Sequence, residues 1–299
     1  MNSKRLRIFQ TTVLDWYMVN KREFLWRKET PEPFITLVSE VMLQQTQTSR
    51  VEEKLPEFLM QFTTITALAN ASNAEIIRAW KGMGYNNRAL RLRDAARRIC
   101  ELHSGTIPQT LDDLLALPGI GRYTATAIMA FSYGCDVAAV DVNIRRVYSR
   151  LFFKMETTSS VASESEINKL SERIFPKGHA SDWHQAIMDI GSRFCTAKRP
   201  DCSNCPLISD CLSAGLMIEY TPTKRAEPSY KKIPRRIWRG KIVDLLRHTH
   251  SMSFETMIDS LFGVEANDDD RKWLLEIISI LEKDSMIVQD GNTLRLKDN

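Results

Sequence analysis

No stretch of the 299 residues approaches the roughly 18 consecutive apolar residues of a membrane span. Residues 1–26 also lack the long apolar core of an export signal. Together these absences predict a cytoplasmic chain with no membrane partner. Alternating apolar and polar runs are missing from the first two-thirds, which excludes a strand-built core there. A large charge of one sign is missing too: 41 Lys and Arg against 37 Asp and Glu leave +4. That excess permits a polyanionic partner without identifying one, so local clusters must carry the argument. The remaining composition, 43% hydrophobic and 26% charged, is that of an ordinary soluble globular protein.

What is present is helical periodicity. Apolar positions recur at three and four in 34–43, 76–80, 90–100, 111–117, 124–131 and 186–194. Short polar or glycine-bearing joints such as Gly105-Thr106-Ile107-Pro108 and Pro118-Gly119-Ile120-Gly121 divide them into many short helices. The expected fold is all-α through residue 219. A basic, proline-punctuated linker is expected over 220–234, and a small domain over 235–299. In that tail, helices near 235–248, 253–262 and 268–284 precede two apolar runs joined by Asp290-Gly291-Asn292, which predicts a hairpin and a winged-helix-like α+β arrangement. Arg235, Arg236, Arg239, Lys241 and Arg247 form a basic face on its first helix, with Ile237, Ile242, Leu245 and Leu246 as the apolar stripe. Such a face can meet phosphates or simply be solvated.

Six cysteines fall unevenly. Cys195, Cys202, Cys205 and Cys211 cluster as C-x6-C-x2-C-x5-C, while Cys100 and Cys135 stand alone and are expected to be small buried apolar residues. Without an export signal the cluster points to a metal centre rather than a disulfide framework. Four thiolates suit zinc or an iron–sulfur cluster, and the paired C-x2-C…C-x2-C of a zinc ribbon is absent. Lys198 and Arg199 lie between the first two cysteines, where a rigid exposed loop can present charge to phosphates.

Leu117-Pro118-Gly119-Ile120-Gly121-Arg122-Tyr123 sets two glycines before a helix. Outward-facing amides, the helix dipole and Arg122 could then hold an anion, or the turn could be a plain helix joint. Glu40 sits beside an apolar helix face that would raise its pKa and suit it to general-acid work, although a solvated helix glutamate is the ordinary alternative. Asp141 follows a small apolar run and precedes Asn143, which can orient it; a simple helix N-cap is the alternative.

With these stations in order, residues 20–225 resemble the helix-hairpin-helix DNA glycosylase superfamily, and within it the adenine DNA glycosylase (MutY) family. Leu117–Gly121 matches the family's hairpin, Val140-Asp141 its catalytic aspartate, the four cysteines its 4Fe-4S loop, and Ser39–Thr46 its acid segment. The resemblance implies a two-lobed fold and a monofunctional DNA-repair glycosylase. Double-stranded DNA carrying a mismatch or oxidised guanine would be its partner, and the protein would be a monomer, nucleoid-associated if prokaryotic. It also implies that Glu40 protonates adenine N7, that Asp141 stabilises the positive sugar with Asn143 positioning it, and that Tyr123 stands where related bifunctional enzymes carry a Schiff-base lysine. Leu43, Gln44, Gln45 and Tyr85 would fill the gap left by the extruded base. Trp26, Arg27 and Gln185 would line its pocket, while Gly119, Gly121, Arg122, Lys198 and Arg199 would meet the backbone. Trp26 and Tyr85 could equally be core aromatics.

Three departures stand out. The family's Asp-Gly-Asn is here Asp141-Val142-Asn143, its Gly-Tyr-Tyr is Gly84-Tyr85-Asn86, and the tail does not resemble a Nudix-like domain. Adenine opposite 8-oxoguanine or guanine is the leading substrate. Thymine or uracil opposite guanine is the alternative, and a non-catalytic DNA-binding protein is the reading from another class.

Overall fold

A computed structural model describes residues 2–28, 32–155, 157, 161–216 and 227–298. The helices before the tail are α1 (Ser3–Asn20), α2 (Pro33–Leu43), α3 (Thr48–Gln61), α4 (Ile65–Asn70), α5 (Asn73–Ala79), α6 (Asn87–His103), α7 (Leu111–Leu115), α8 (Arg122–Tyr133), α9 (Val142–Phe152), α10 (Glu164–Ile174) and α11 (Ala180–Arg193). The tail contains β1 (Ser229–Tyr230), β2 (Ile233–Pro234), α12 (Arg235–His248), β3 (Met252–Ser253), α13 (Phe254–Phe262), α14 (Asp268–Lys283), β4 (Ile287–Asp290) and β5 (Thr293–Leu296). Among the described residues no helix is long and apolar enough to cross a membrane.

The chain divides into two compact units, one of residues 1–37, 109–115 and 121–224, the other of 38–108, 116–120 and 225–299. In the first, α9 starts at Asp141, whose side chain caps the Ile144 amide, and buries Ile144, Val147, Tyr148 and Leu151 at helical spacing. These meet α11 through Trp183, Ile187 and Ile190, and α1 adds Phe9, Val13 and Tyr17 every fourth residue. The Phe9 and Trp183 rings meet edge to face at 5.5 Å. Helix α1 escapes the periodicity count because its apolar stripe is one residue per turn, set in Arg, Thr and Gln.

A fully buried His184 on α11 accepts from the Ala139 amide at 3.3 Å and faces the Ala180 carbonyl with Nδ1 at 2.6 Å, fixing the segment that leads into Asp141. Burial pushes its pKa down from 6.5 to about 4. The unfolded chain therefore takes up a proton that the folded chain refuses, and the neutral ring's contribution is complete above about pH 6.5 and lost as pH falls toward 4. Thermal midpoints measured from pH 7 to pH 4.5 are expected to fall, and His184→Gln to flatten that slope; an unchanged slope in the variant would assign the acid sensitivity elsewhere.

In the second unit α4 packs along α6, and Phe58 of α3 meets Trp80 edge to face at 5.7 Å. The tail is winged-helix-like: α12, α13 and α14 enclose Trp238, Ile242, Leu246, Met257, Ile277 and Leu281 beneath an antiparallel sheet of order β3-β5-β4. Within the expected linker, residues 220–226 lie outside the described residues. Residues 229–234 form the β1–β2 hairpin, whose Tyr230 ring stacks on Trp273 at 5.4 Å. Two expectations are corrected here. Ile237 is 44% exposed, and Trp238 takes its place in the α12 stripe. Cys100 and Cys135 are half-buried rather than buried.

Candidate active site

In the first unit, both oxygens of the half-buried Asp141 are held. The Ile144 amide donates to Oδ1 at 2.7 Å and Asn143 Nδ2 to Oδ2 at 2.6 Å. Asp141 is thus a helix N-cap and an oriented carboxylate at once. Burial raises its pKa above the usual aspartate range, and the two donors with nearby Arg146 oppose that rise. Asn143 is itself fixed, because Arg146 Nη2 donates to its Oδ1 at 3.0 Å and to the Gly191 carbonyl at 2.9 Å, while Nε reaches the Cys195 carbonyl at 2.7 Å. Space is tight there: a Cβ on Gly191 would stand 3.1 Å from Val147 Cγ2 and 3.3 Å from Asn143 Cβ. The oriented carboxylate is therefore tied by consecutive hydrogen bonds to the first residue of the cysteine loop. Val142, between Asp141 and Asn143, is 78% exposed, so the β-branched replacement leaves both hydrogen bonds intact.

The four cysteines line one small pocket with Phe194, Pro200, Ile208 and Arg150. Among the described residues no three His, Cys, Asp or Glu side chains stand close enough for one metal ion. Four soft thiol side chains lining one pocket suit a soft metal centre. Burial first, and then the other three thiols, lift the Cys205 thiol to about 11, so four thiolates can coexist there only with added positive charge. Arg150, 2% exposed, supplies part of it, with Nη1 3.4 Å from Cys195 Sγ and 2.8 Å from the Thr196 carbonyl. Lys198 and Arg199 are exposed on the loop so anchored, where Thr196 Oγ1 donates to the Arg199 carbonyl at 2.6 Å.

Arg27 and Gln185 come together at α11. Arg27 grips Asp189 with both terminal nitrogens, at 2.8 and 3.1 Å, and Arg22 joins it at 3.0 Å. One turn earlier, Gln185 accepts from the Tyr17 hydroxyl at 2.9 Å and donates to Ser181 at 3.0 Å. Burial holds the Tyr17 hydroxyl up to about 12, so it remains a donor at neutral pH. Trp26, next in sequence to Arg27, is 8% exposed and stacks on Phe24 at 4.6 Å.

The turn before α8 departs from expectation at one of its two glycines. Gly119 has φ +78° and lies against Arg91, whose Cβ would be 2.9 Å from an added Cβ, so glycine is required there. Gly121 is extended at φ −92° with open space around it and serves as the N-cap of α8, beside exposed Arg122. Tyr123 follows, partly buried against the core of the first unit.

In the second unit Glu40 is 4% exposed and is the one ionisable residue of the mainly apolar α2, so it is no solvated surface residue. Leu43 and Gln44 are half-buried, Gln45 is exposed, and Tyr85 is 52% exposed. Gln45 and Tyr85 are both left-handed, at φ 57° and 46°, a conformation that costs a non-glycine residue about 1–2 kcal/mol. Sequence reading missed what gathers them. Arg88, 9% exposed, donates to the carbonyls of Val41, Met42, Gln44, Met83 and Gly84 and to the Thr46 hydroxyl. Its guanidinium therefore caps the end of α2 and pins the loop before Tyr85 together, and burial draws its pKa down to about 10.

Residues 38–177 match the HhH-GPD superfamily of base excision DNA repair proteins. The adenine DNA glycosylase of Mycolicibacterium smegmatis is 34% identical over 266 residues, covering 89% of each chain. That of Homo sapiens is 35% identical over 211 residues, 68% of this chain and 39% of the human one. Among solved structures, a thermostable thymine-DNA glycosylase aligns at TM-score 0.64 with 27% identity, over 71% of this chain and 97% of its own. Endonuclease III in a non-covalent DNA complex aligns at 0.62 with 23% identity, over 72% and 97%, a likeness of fold. Fold and site thus define a helix-hairpin-helix DNA glycosylase. The chain belongs to the adenine DNA glycosylase family.

Proposed function

We propose that this protein is a monofunctional glycosylase of base excision repair that hydrolyses the N-glycosidic bond of adenine mispaired with 8-oxoguanine or guanine in duplex DNA, as a monomer. In a prokaryotic cell its substrate is nucleoid DNA in the cytoplasm. The observation that carries the reading is the Asp141 carboxylate, buried enough to be desolvated yet held at both oxygens. Breaking a glycosidic bond develops positive charge on the sugar, and a fixed anion already stripped of water stabilises that charge without reorganising. Adenine leaves poorly as an anion, so Glu40 is assigned as the acid that protonates N7. Tyr123 has no amine to form an imine, so water rather than the protein takes the sugar carbon.

The other assignments follow the same chemistry. Trp26 with Arg27 and Gln185 receives the extruded base, and Leu43, Gln44, Gln45 and Tyr85 fill the duplex behind it. Gly119, Gly121 and Arg122 meet one stretch of phosphates, and Lys198 and Arg199 another. Cys195, Cys202, Cys205 and Cys211 would hold a 4Fe-4S cluster, whose part when bound is to tie the loop into one frame and balance its thiolate charge. Residues 1–219 are assigned as the catalytic domain and 235–299 as an accessory domain after the 220–234 linker.

Thymine or uracil removal opposite guanine is the second reading, favoured by Val142 in place of the family's glycine and by the likeness to a thymine-DNA glycosylase. Duplex with adenine opposite 8-oxoguanine is expected to give an abasic strand that breaks only in alkali, with no borohydride-trapped adduct. Efficient trapping would sink the hydrolytic mechanism. Purified protein is expected to be brown and to carry about four irons per chain. Stoichiometric zinc without iron would contradict the cluster.

A further inference from the structure

The basic face of α12 is largely neutralised within the tail. Arg235 pairs with Glu276 at 3.1 Å, Arg236 with Glu227 and Arg239 with Asp284, while Lys241 lies 4.8 Å over the Trp238 ring. Arg247, the fifth basic residue, turns the other way. Its side chain is 8% exposed; Nε donates to the Ile77 carbonyl at 3.0 Å and Nη2 to Asn86 Oδ1 at 2.9 Å. Asn86 immediately follows Tyr85 and is the residue that departs from the family's second tyrosine. The tail holds this part of the second unit at further points: His248 Nε2 lies 3.1 Å from Lys81 Nζ, the Asp298 carbonyl accepts the Asn73 amide at 2.9 Å, and the Ser285 carbonyl accepts Asn73 Nδ2 at 2.6 Å.

The loop from Trp80 to Asn86 is therefore gripped from two sides. Arg88 holds Met83 and Gly84 just before Tyr85, and Arg247 holds Asn86 just after it. Between the two grips Tyr85 stands half-exposed at φ 46°. A left-handed tyrosine persists only where its surroundings over-determine the backbone: the Arg88 amide donates to the Tyr85 carbonyl at 2.9 Å and its guanidinium lies 5.7 Å over the ring on one side, with Arg247 holding Asn86 on the other.

We propose that Arg247 is a specificity-positioning residue: by fixing Asn86 it holds the Tyr85 ring outward, pre-set to enter the duplex beside the base opposite the one removed. The tail then acts in mismatch recognition through the wedge loop instead of by touching phosphates. This rests on the reading of Tyr85 as the wedge. Pre-setting lowers the ordering cost at the moment of insertion, so its loss weakens binding to mispaired duplex more than to matched duplex.

Three variants test it: Asn86→Ala, which leaves the tail untouched, Arg247→Met, which keeps the aliphatic volume, and the double variant. The probe is a duplex carrying 2-aminopurine beside the base opposite the substrate adenine, whose emission reports unstacking when the ring inserts. Expected are a reduced emission change and about tenfold weaker binding to mispaired duplex in each single variant, what one charge-assisted hydrogen bond is worth. The double variant should lose no more than Arg247→Met alone, since that variant already removes the bond to Asn86 along with those to Ile77 and Asp244. Asn86→Ala should stay fully folded at the assay temperature, with a thermal midpoint lowered by no more than a few degrees, which separates positioning from unfolding. A wild-type emission change retained by both variants, or additive losses, would overturn the inference while leaving the glycosylase reading in place. A wild-type protein that excises adenine without any emission change would remove the wedge itself, and the inference with it.

Discussion

Asp141→Asn is expected to lower single-turnover excision of adenine by about a thousandfold while leaving duplex affinity within a few fold, because the fixed anion acts only once positive charge develops on the sugar. The asparagine keeps the shape and can still cap α9 through its one oxygen, so the loss reads the charge together with the single bond from Asn143. Glu40→Gln is expected to cost between about a hundred and ten thousand fold on adenine, the range of general-acid catalysis, and much less on uracil, which leaves without N7 protonation. The pH–rate profile of the wild type carries the same signature. Burial raises the Asp141 pKa, and the ionised form is the active one, so the acid limb should fall at a higher pH than a solvated aspartate would give. Single-turnover rates from pH 4.5 to 8 check the limb. Wild-type-like rates in both variants would remove both assignments.

The largest stability effect is expected at Arg88. Arg88→Met leaves the carbonyls of Val41, Met42, Gln44, Met83 and Gly84 without their shared donor, several of them buried, and should cost about 3 kcal/mol. Guanidinium denaturation reads that loss directly, and a shift under about 1 kcal/mol would show that the carbonyls find other donors. The same substitution frees both the end of α2 and the loop before Tyr85. Its excision rate should therefore fall beyond what a residue equally buried but remote from the two segments would cost.

How much of this was legible follows from which interactions are local. Asp141 with Asn143, the C-x6-C-x2-C-x5-C loop and the glycine turn are contiguous in sequence, so their chemistry could be read before any fold was known. The tail's helices and hairpin showed through periodicity and Asp290-Gly291-Asn292, whereas the two-residue β3 was too short to carry a pattern. The supporting arginines were not legible. Arg88, Arg146, Arg150 and Arg247 look like ordinary surface residues because an isolated buried charge is expensive. Each is inside because carbonyls at helix ends and loops converge on it from segments distant in sequence, as Ile77 and Asn86 do on Arg247. The left-handed Gln45 and Tyr85 were hidden for the same reason, since the bonds that impose the conformation are tertiary. Gly121 misled in the opposite direction: its neighbour Gly119 needs its positive φ, and Gly121 does not.

The most direct test of the account is a single-turnover panel of duplexes carrying adenine, thymine or uracil opposite guanine and opposite 8-oxoguanine, scored for the released base and the abasic strand. The account predicts free adenine as the fastest product, formed opposite 8-oxoguanine and guanine, with an abasic strand stable until alkali is added. Thymine or uracil released faster than adenine, or no base released from any duplex, would contradict it.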